Sequence, residues 1–565
     1  MGLIQKAFGD IITFSRASNA TRIGPNGLVQ YAPHNLFLRS QEFDNASWSK
    51  LDATVSANSV AAPDGTVTSD KLTENTALAA HELYQSVSIT SGIRYTFSFF
   101  AKAAGRNFVA CGHNGTGSYA YSYFNLSDGT VVSSGTGHTT SIQSVGNGWY
   151  RISSTFTSGS TSSIAFEILT SDNGSRVSYT GDGTSGVYLW GAQLSVGSVP
   201  GDYTPTTSAA VYGPRFDFDP VTLAARGLLI EEQRTNLLTY SEQFDNAAWT
   251  KTRSNVTANA AAAPDGTVTA DKLVEDSTAS DTHYIDVSGV SFTSGTSYTF
   301  SIYAKAGERS AIRIQGSLSR YAPDATFDLS TGTVTSGSGS ISSSGNGWYR
   351  CSVTATATST GTSGINIFLA SPGIIYTGNG TSGLFIWGAQ LEAGSFATSY
   401  IPTVASTVTR SADVASVDTL SPWYNQTAGS LYTEAVSGGD SASYKFAAEL
   451  TAAGRADAFA IAKDSTNLVR YQAIGASGTA FNSTDGTWTV GAVFKTAIGM
   501  ALNSSLGVKN GGTAVTGATP TVLPIPIKMG IGQATNGTLQ FNGHIRRLAY
   551  YPRKLSSAEL QALTA

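Results

Sequence analysis

Three tyrosines spaced two apart, Tyr119, Tyr121 and Tyr123, are the residues of this chain best suited to contact a ligand. In an extended strand their side chains share one face. A row of aromatic rings on a solvated face can stack on sugar rings or meet another protein. The residues that drive bond-breaking are arranged less suggestively. The six histidines are His34, His81, His113, His138, His283 and His544, and none shows a metal-binding spacing such as His-Glu-x-x-His. Acids toward the C-terminus, including Asp413, Glu434, Glu449 and Asp464, are isolated, whereas glycoside hydrolysis needs two carboxylates flanking one bond. No Gly-x-Ser-x-Gly nucleophile elbow stands out. The expectation is a chain that binds without catalysis.

The elements that position the tyrosines follow from composition. Of 565 residues only 13% are charged, about half the usual fraction of roughly 25%. Ser, Thr, Gly and Asn take their place, which suits strands and turns. The net charge of −4 and the lack of any Lys/Arg run argue against a nucleic-acid partner. No apolar stretch is long enough for a membrane-spanning helix, so no membrane insertion is expected. Two cysteines, Cys111 and Cys351, cannot form a disulfide framework. Burial and strand pairing must supply the stability.

Self-similarity organises most of the chain. FDNASWSK at 43–50, read as the opening strand of the first copy, returns as FDNAAWTK at 244–251. APDGTVTSDKL (62–72), YTFSFFAKA (95–103), GNGWYRIS (146–153) and YTGDGTSGVYLWGAQL (179–194) return near 263, 298, 345 and 376. The offset drifts from 201 to 203, 199 and 197, as when strands are kept and loops vary. Six tryptophans match in pairs and are expected to be buried: Trp48 with Trp249, Trp149 with Trp348, Trp190 with Trp387. His81 and His283 also correspond, and a shared structural hydrogen bond is expected there. Tyr119, Tyr121 and Tyr123 align with Ala322, Asp324 and Thr326. An aspartate in that row marks the face as solvated. The copies differ there, so function is to be sought there.

Short alternating strands between Gly/Asn/Ser turns predict an all-β chain: two duplicated jelly-roll β-sandwiches followed by a concanavalin A-like β-sandwich. The expected boundaries are an N-terminal anchoring or extended segment at 1–34, the first jelly roll at 35–207, an extended connector at 208–235, the second jelly roll at 236–407 and the third sandwich at 408–565. The connector carries Phe216-Asp217-Phe218-Asp219 and Leu228-Leu229, apolar residues that need something to bury against. Ser556 and Glu559 form a capping box that starts a final helix.

The blocks F-D-N-A-x-W, YTFSxxAKA, GNGWYR and WGAQL resemble carbohydrate-binding jelly rolls of tailed-phage fibre and spike proteins. FSRASNATR, PRFDFDP and ARGLLIEEQRTNLL resemble stretches of the same proteins, or of gene-transfer-agent particles. GHIRRLAYYPRKLSSAELQAL resembles the close of concanavalin A-like or laminin-G-like sandwiches. The resemblance implies a virion surface protein, made in the host cytoplasm, that binds bacterial surface polysaccharide and joins other virion proteins through its N-terminal segment. It implies a homo-oligomer, a trimer or, at a capsid vertex, a pentamer. A purely structural virion protein and a glycan depolymerase are the alternatives. Jelly rolls of this kind often hold a structural calcium ion, for which Asp44 with Asp70 and Asp245 with Asp271 are the repeat-matched candidates. Turn formation is the other role open to them.

Overall fold

A computed structural model describes residues 11–114, 121–159, 162–316, 320–371, 373–439, 443–452, 457–475, 480–518 and 520–565. The fold is all-β, built from three sandwiches and closed by one helix, Ser557–Thr564, capped by Ser556 and Glu559 as their spacing predicts. Two units emerge. One is Tyr31–Gly213. The other combines Met1–Gln30 with Pro214–Ala565.

Each repeat is a pair of six-stranded antiparallel sheets with the same strand order. In the first copy one sheet centres on Arg94–Ala104, Trp149–Thr157 and Gly186–Val196; the other centres on Phe108–Asn114, Ser162–Ser171 and Glu82–Ile89. Alternation sends Phe97, Phe99, Val109, Cys111, Phe124, Phe166 and Ile168 into the core between the sheets. Phe300, Ile302, Ile312, Ile314, Phe327, Ile365 and Ile367 do the same in the second copy.

The octet FDNASWSK is a pair of tight turns leading into the short strand Ser49–Leu51, with Phe43 and Trp48 buried beneath it. Of the six repeat-matched tryptophans, only Trp48 and Trp249 lie in the between-sheet cores. Trp149 and Trp190 form a second cluster with Phe100 and Tyr203. Because Phe99 points into the core, its neighbour Phe100 and these rings lie on the back of that sheet. A bulge between Ser98 and Phe100 turns the chain there. Gly191 sits in it at φ 63, and Gly388 repeats that angle in the second copy. A Cβ on Gly191 would come within 3.0 Å of the Phe100 ring, so the glycine of WGAQL serves both backbone and packing.

The third sandwich is not continuous in sequence. Its seven-stranded sheet begins with Thr13–Ser15, which pairs with Val414–Val417. Its six-stranded sheet begins with Phe216–Phe218 and Ala225–Ile230, which join Gly543–Tyr551. The connector's apolar residues thus find their burial: Leu228 and Ile230 belong to the third core. The N-terminal segment also covers the back cluster of the second copy, where Val29 and Ile23 lie against Trp348, Trp387 and Tyr400.

A buried charge cluster ties these pieces together. Arg16 Nη1 donates to Asp413 Oδ1 at 2.9 Å, and Arg215 donates to Asp413 Oδ2. Arg215 Nη1 also reaches Glu231 Oε2 at 2.6 Å, while Arg410 lies 3.4 Å from the same oxygen. The Glu231 backbone N–H donates to Asp413 at 2.9 Å, and Ser399 donates twice to Glu231.

One buried group in the first copy makes the fold sensitive to acid. The His113 ring lies against Phe156, with centroids 4.1 Å apart, and stacks on His138. Neither His113 nitrogen has a hydrogen-bond partner among the described residues. Burial, with His138 adding repulsion, lowers its pKa from 6.5 to about 4. The unfolded chain takes up the proton near 6.5 while the folded imidazole refuses it until about 4. His113 therefore takes stability from Tyr31–Gly213 as pH drops through that window, while the raised Glu82 acts in the opposite sense over much of it. His113→Phe is expected to remove its share, read as the change in urea midpoint between the two ends of the window; an unchanged slope would remove His113 as a source.

Candidate functional site

The tyrosine row sits on the outer face of the second sheet of Tyr31–Gly213. Strand Ser122–Asn125 turns Phe124 into the core, so Tyr123, and Tyr121 at the strand's threshold, face outward and are half-buried. Tyr119 lies outside the described residues. Strand register extends the face sideways. Tyr123 pairs with Ala110, Ala110 with Leu169, and Leu169 with Glu82. In the next row Gly112 pairs with Glu167 and Glu167 with Tyr84. The Tyr121 hydroxyl donates to Glu167 Oε2 at 2.7 Å, which closes that row. The strand between the tyrosines and the acids contributes only Ala110 and Gly112 to this face, both buried under their larger neighbours.

The face therefore presents Tyr84, Tyr121 and Tyr123 around two carboxyl groups, Glu82 and Glu167. Sequence spacing disclosed the alternating tyrosines but not Tyr84, Glu82 or Glu167, which come from strands far apart in the chain. Burial raises Glu167, partly offset by the Tyr121 hydrogen bond. Burial, together with the nearby charges of Glu167 and Asp52, raises Glu82 to about 7.

The same face in the second copy has been rebuilt. Its rows are Tyr284, Phe368, Arg313, Thr326 and Asp286, Asn366, Gln315, Asp324. Matched by register, Tyr284 replaces Glu82, Asp286 replaces Tyr84, Asn366 replaces Glu167 and Asp324 replaces Tyr121. Arg313 grips Asp324 with a two-pronged contact, Nε to Oδ1 at 2.8 Å and Nη2 to Oδ2 at 2.5 Å. Tyr284 and Phe368 bring their ring centroids to 4.8 Å. All eight outward positions differ, yet their inward neighbours stay apolar: Leu83 and Ile285, Val109 and Ile312, Cys111 and Ile314, Phe124 and Phe327, Ile168 and Ile367.

Polar groups that serve the fold are shared between copies. Glu74 accepts from Arg106 and Tyr179, as Glu275 does from Arg309 and Tyr376. His81 Nδ1 donates to the Asp52 carbonyl at 2.7 Å, and His283 Nδ1 to that of Arg253 at 2.8 Å. The outer faces are thus where the copies diverge in chemistry while the scaffold is held.

The four aspartates do not converge on a common point. Asp70 accepts the Phe43 and Asn58 backbone N–H groups at 2.7 and 2.9 Å, and Asp271 accepts those of Phe244 and Asn259 at 2.8 and 2.9 Å. Asp44 and Asp245 contribute their carbonyls, and a lysine holds them. Lys50 Nζ donates to the carbonyls of Asp44, Asn45 and Trp48 at 2.9, 2.8 and 2.8 Å; Lys251 does so to Asp245 and Asn246 at 2.8 and 2.7 Å. An ammonium ion stands where a bound cation would take its oxygen ligands. These residues fit turn anchoring, not a calcium cage, and no group of three or more metal-binding side chains assembles among the described residues.

A separate cleft of about 230 Å³ in the larger unit is lined by Asp217, His544, Glu231, Tyr303, Arg350 and Phe396. Its acids are engaged: Asp217 with His544 at 2.7 Å and with the Ile23 N–H, and Glu231 with Arg215.

No family model and no curated protein matches the chain. Among solved structures it is similar to a tandem CBM22 pair from Paenibacillus barcinonensis Xyn10C, at 13% identity and TM-score 0.22, over 64% of this chain and 98% of that one. Trypanosoma rangeli sialidase overlaps at 11% identity and TM-score 0.23, over 97% and 98%. The LG1-3 region of the laminin alpha2 chain overlaps at 9% identity and TM-score 0.18, over 85% and 97%. The likenesses are slight, and the reading of the site rests on its own residues.

Proposed function

We propose that this chain is a virion fibre or spike that binds bacterial surface polysaccharide without cutting it, through the outer sheet faces of its two repeated sandwiches. The carrying observation is that all eight outward residues differ between the copies while their inward neighbours stay apolar. Packing alone gives no reason to rebuild a solvent-side face. Aromatic rings beside carboxyl and amide groups suit sugars, whose rings stack and whose hydroxyls donate. Single shallow sites bind weakly; two per chain, multiplied in a homotrimer, raise avidity by roughly 10²–10⁴. The virion setting, and attachment to other virion proteins at the unit that the N-terminal segment joins, rest on the sequence resemblance.

Hydrolysis is the second reading, favoured by Glu82 at about 7 beside Glu167. Release of reducing ends from host polysaccharide would establish it.

The binding reading is tested with Tyr84→Ala and Tyr121→Ala in the full chain. Losing an anchoring ring costs about 2 kcal/mol or more, so binding to host cells should fall about 30-fold for either variant. Unchanged cell binding by folded variants would sink the platform.

A further inference from the structure

Glu82 is placed in a way that a neutral ligand does not explain. It faces outward from strand Glu82–Ile89, since Leu83 beside it fills the core. It is only 9% exposed. Its carboxyl has no hydrogen bond and no ion pair among the described residues. The charged groups that reach it are Glu167 and Asp52, both acids. A buried carboxyl normally carries a partner, because an unpaired one costs free energy. Glu167, at 3% exposure, has the Tyr121 hydroxyl and no cation. Three phenol rings, Tyr84, Tyr121 and Tyr123, belong to the same face. Their π-faces favour organic cations.

We propose that the outer face of the first sandwich recognises a sugar carrying a free ammonium group, a de-N-acetylated amino sugar, with the ammonium held between Glu82 and Glu167 and the ring laid against the tyrosines. The proposal rests on the glycan-binding reading above and adds the class of sugar. The ligand's ammonium supplies the partner that Glu82 lacks. It compensates two neighbouring acids at once and places its apolar ring face on aromatic surface. A uronic or sialic acid would meet repulsion on the same face. The second copy does not share this preference. Tyr284 and Asn366 replace both glutamates, and Arg313 neutralises Asp324.

Binding of the full chain is measured by calorimetry at neutral pH with three probes: glucosamine oligomers, N-acetylglucosamine oligomers of equal length, and calcium chloride. The glucosamine oligomer should bind at least about tenfold more tightly than the acetylated one, the scale of one charge-assisted hydrogen bond. Glu82→Gln, and separately Glu167→Gln, should remove that advantage, so that the two oligomers bind alike. Asp286→Asn in the second copy should leave the advantage intact. Equal affinity for both oligomers, with Glu82→Gln silent, overturns the ammonium site and leaves the glycan platform standing. Failure of the glucosamine oligomer to bind also overturns the ammonium site; cell binding lost in Tyr121→Ala would then still uphold the platform. Calcium binding abolished by Glu82→Gln overturns the proposal in favour of a metal site.

Discussion

Asp413→Asn is expected to lower the unfolding free energy of the unit formed by Met1–Gln30 and Pro214–Ala565 by about 3–5 kcal/mol, the cost of breaking a buried ion pair by removing one partner. Asp413 holds Arg16 and Arg215 at once, and all three side chains are excluded from solvent. The amide keeps the shape but removes the negative charge that Arg16 and Arg215 share, while Glu231 stays with Arg215 and Arg410. Urea unfolding followed by tryptophan fluorescence measures the loss, and a change below about 1 kcal/mol would show that the charges are dispensable. Arg215→Met is the companion variant, because it takes one guanidinium from Asp413 and from Glu231 at once. The cluster also has a pH sign. Burial pushes the Glu231 carboxyl up, but Arg410 and Arg215 outweigh it and hold the group below the usual carboxylate range. Its contribution is therefore complete above that range and disappears as pH falls through and below it. Acid should separate the N-terminal segment and connector from the third sandwich before it melts the strand ladders.

Lys50→Met is expected to destabilise Tyr31–Gly213 by about 2 kcal/mol, taking hydrogen bonds from a charged donor at the lower end of their range because the lysine is half exposed. Its ammonium gathers three loop carbonyls, and without it those oxygens face one another above the buried rings of Phe43 and Trp48. Lys251→Met should cost less, since Lys251 gathers two. Thermal unfolding of each variant gives the comparison, and equal losses would disconnect the effect from the carbonyl count. Chelator should leave the melting temperature of the unaltered chain unchanged. A rise on adding calcium would return Asp44, Asp70, Asp245 and Asp271 to the role of ligands.

Much of the architecture was legible because its signals are local. YTFSFFAKA and its repeat alternate inward and outward positions within one strand, and the drift of the repeat offset marks which blocks are strands and which are loops. The capping box at Ser556 is read from four residues. The tyrosine row was legible for the same reason, and its mismatch with Asp324 marked a face that points away from the core. Other features were hidden. Trp149 and Trp190 looked like filling for the main core, but a bulge at Gly191 places them on the back of a sheet. FDNASWSK looked like a strand, but Asn45 and Lys50 bind its backbone into turns.

By itself the sequence determined the fold class, the duplication, and the place where the two copies part company. Each of these is carried by residue types at short spacing, where the side-chain period of a strand acts directly. The tertiary structure decided which strands lie side by side. It placed Glu82 and Glu167 beside Tyr121 across four strands. It assembled the third sandwich from Thr13–Ser15, Phe216–Phe218, Ala225–Ile230 and the C-terminal residues. It brought Arg16 to Asp413, 397 residues away. Such pairings depend on sheet register and on the burial of complementary charge, which are properties of the folded chain that no short stretch contains.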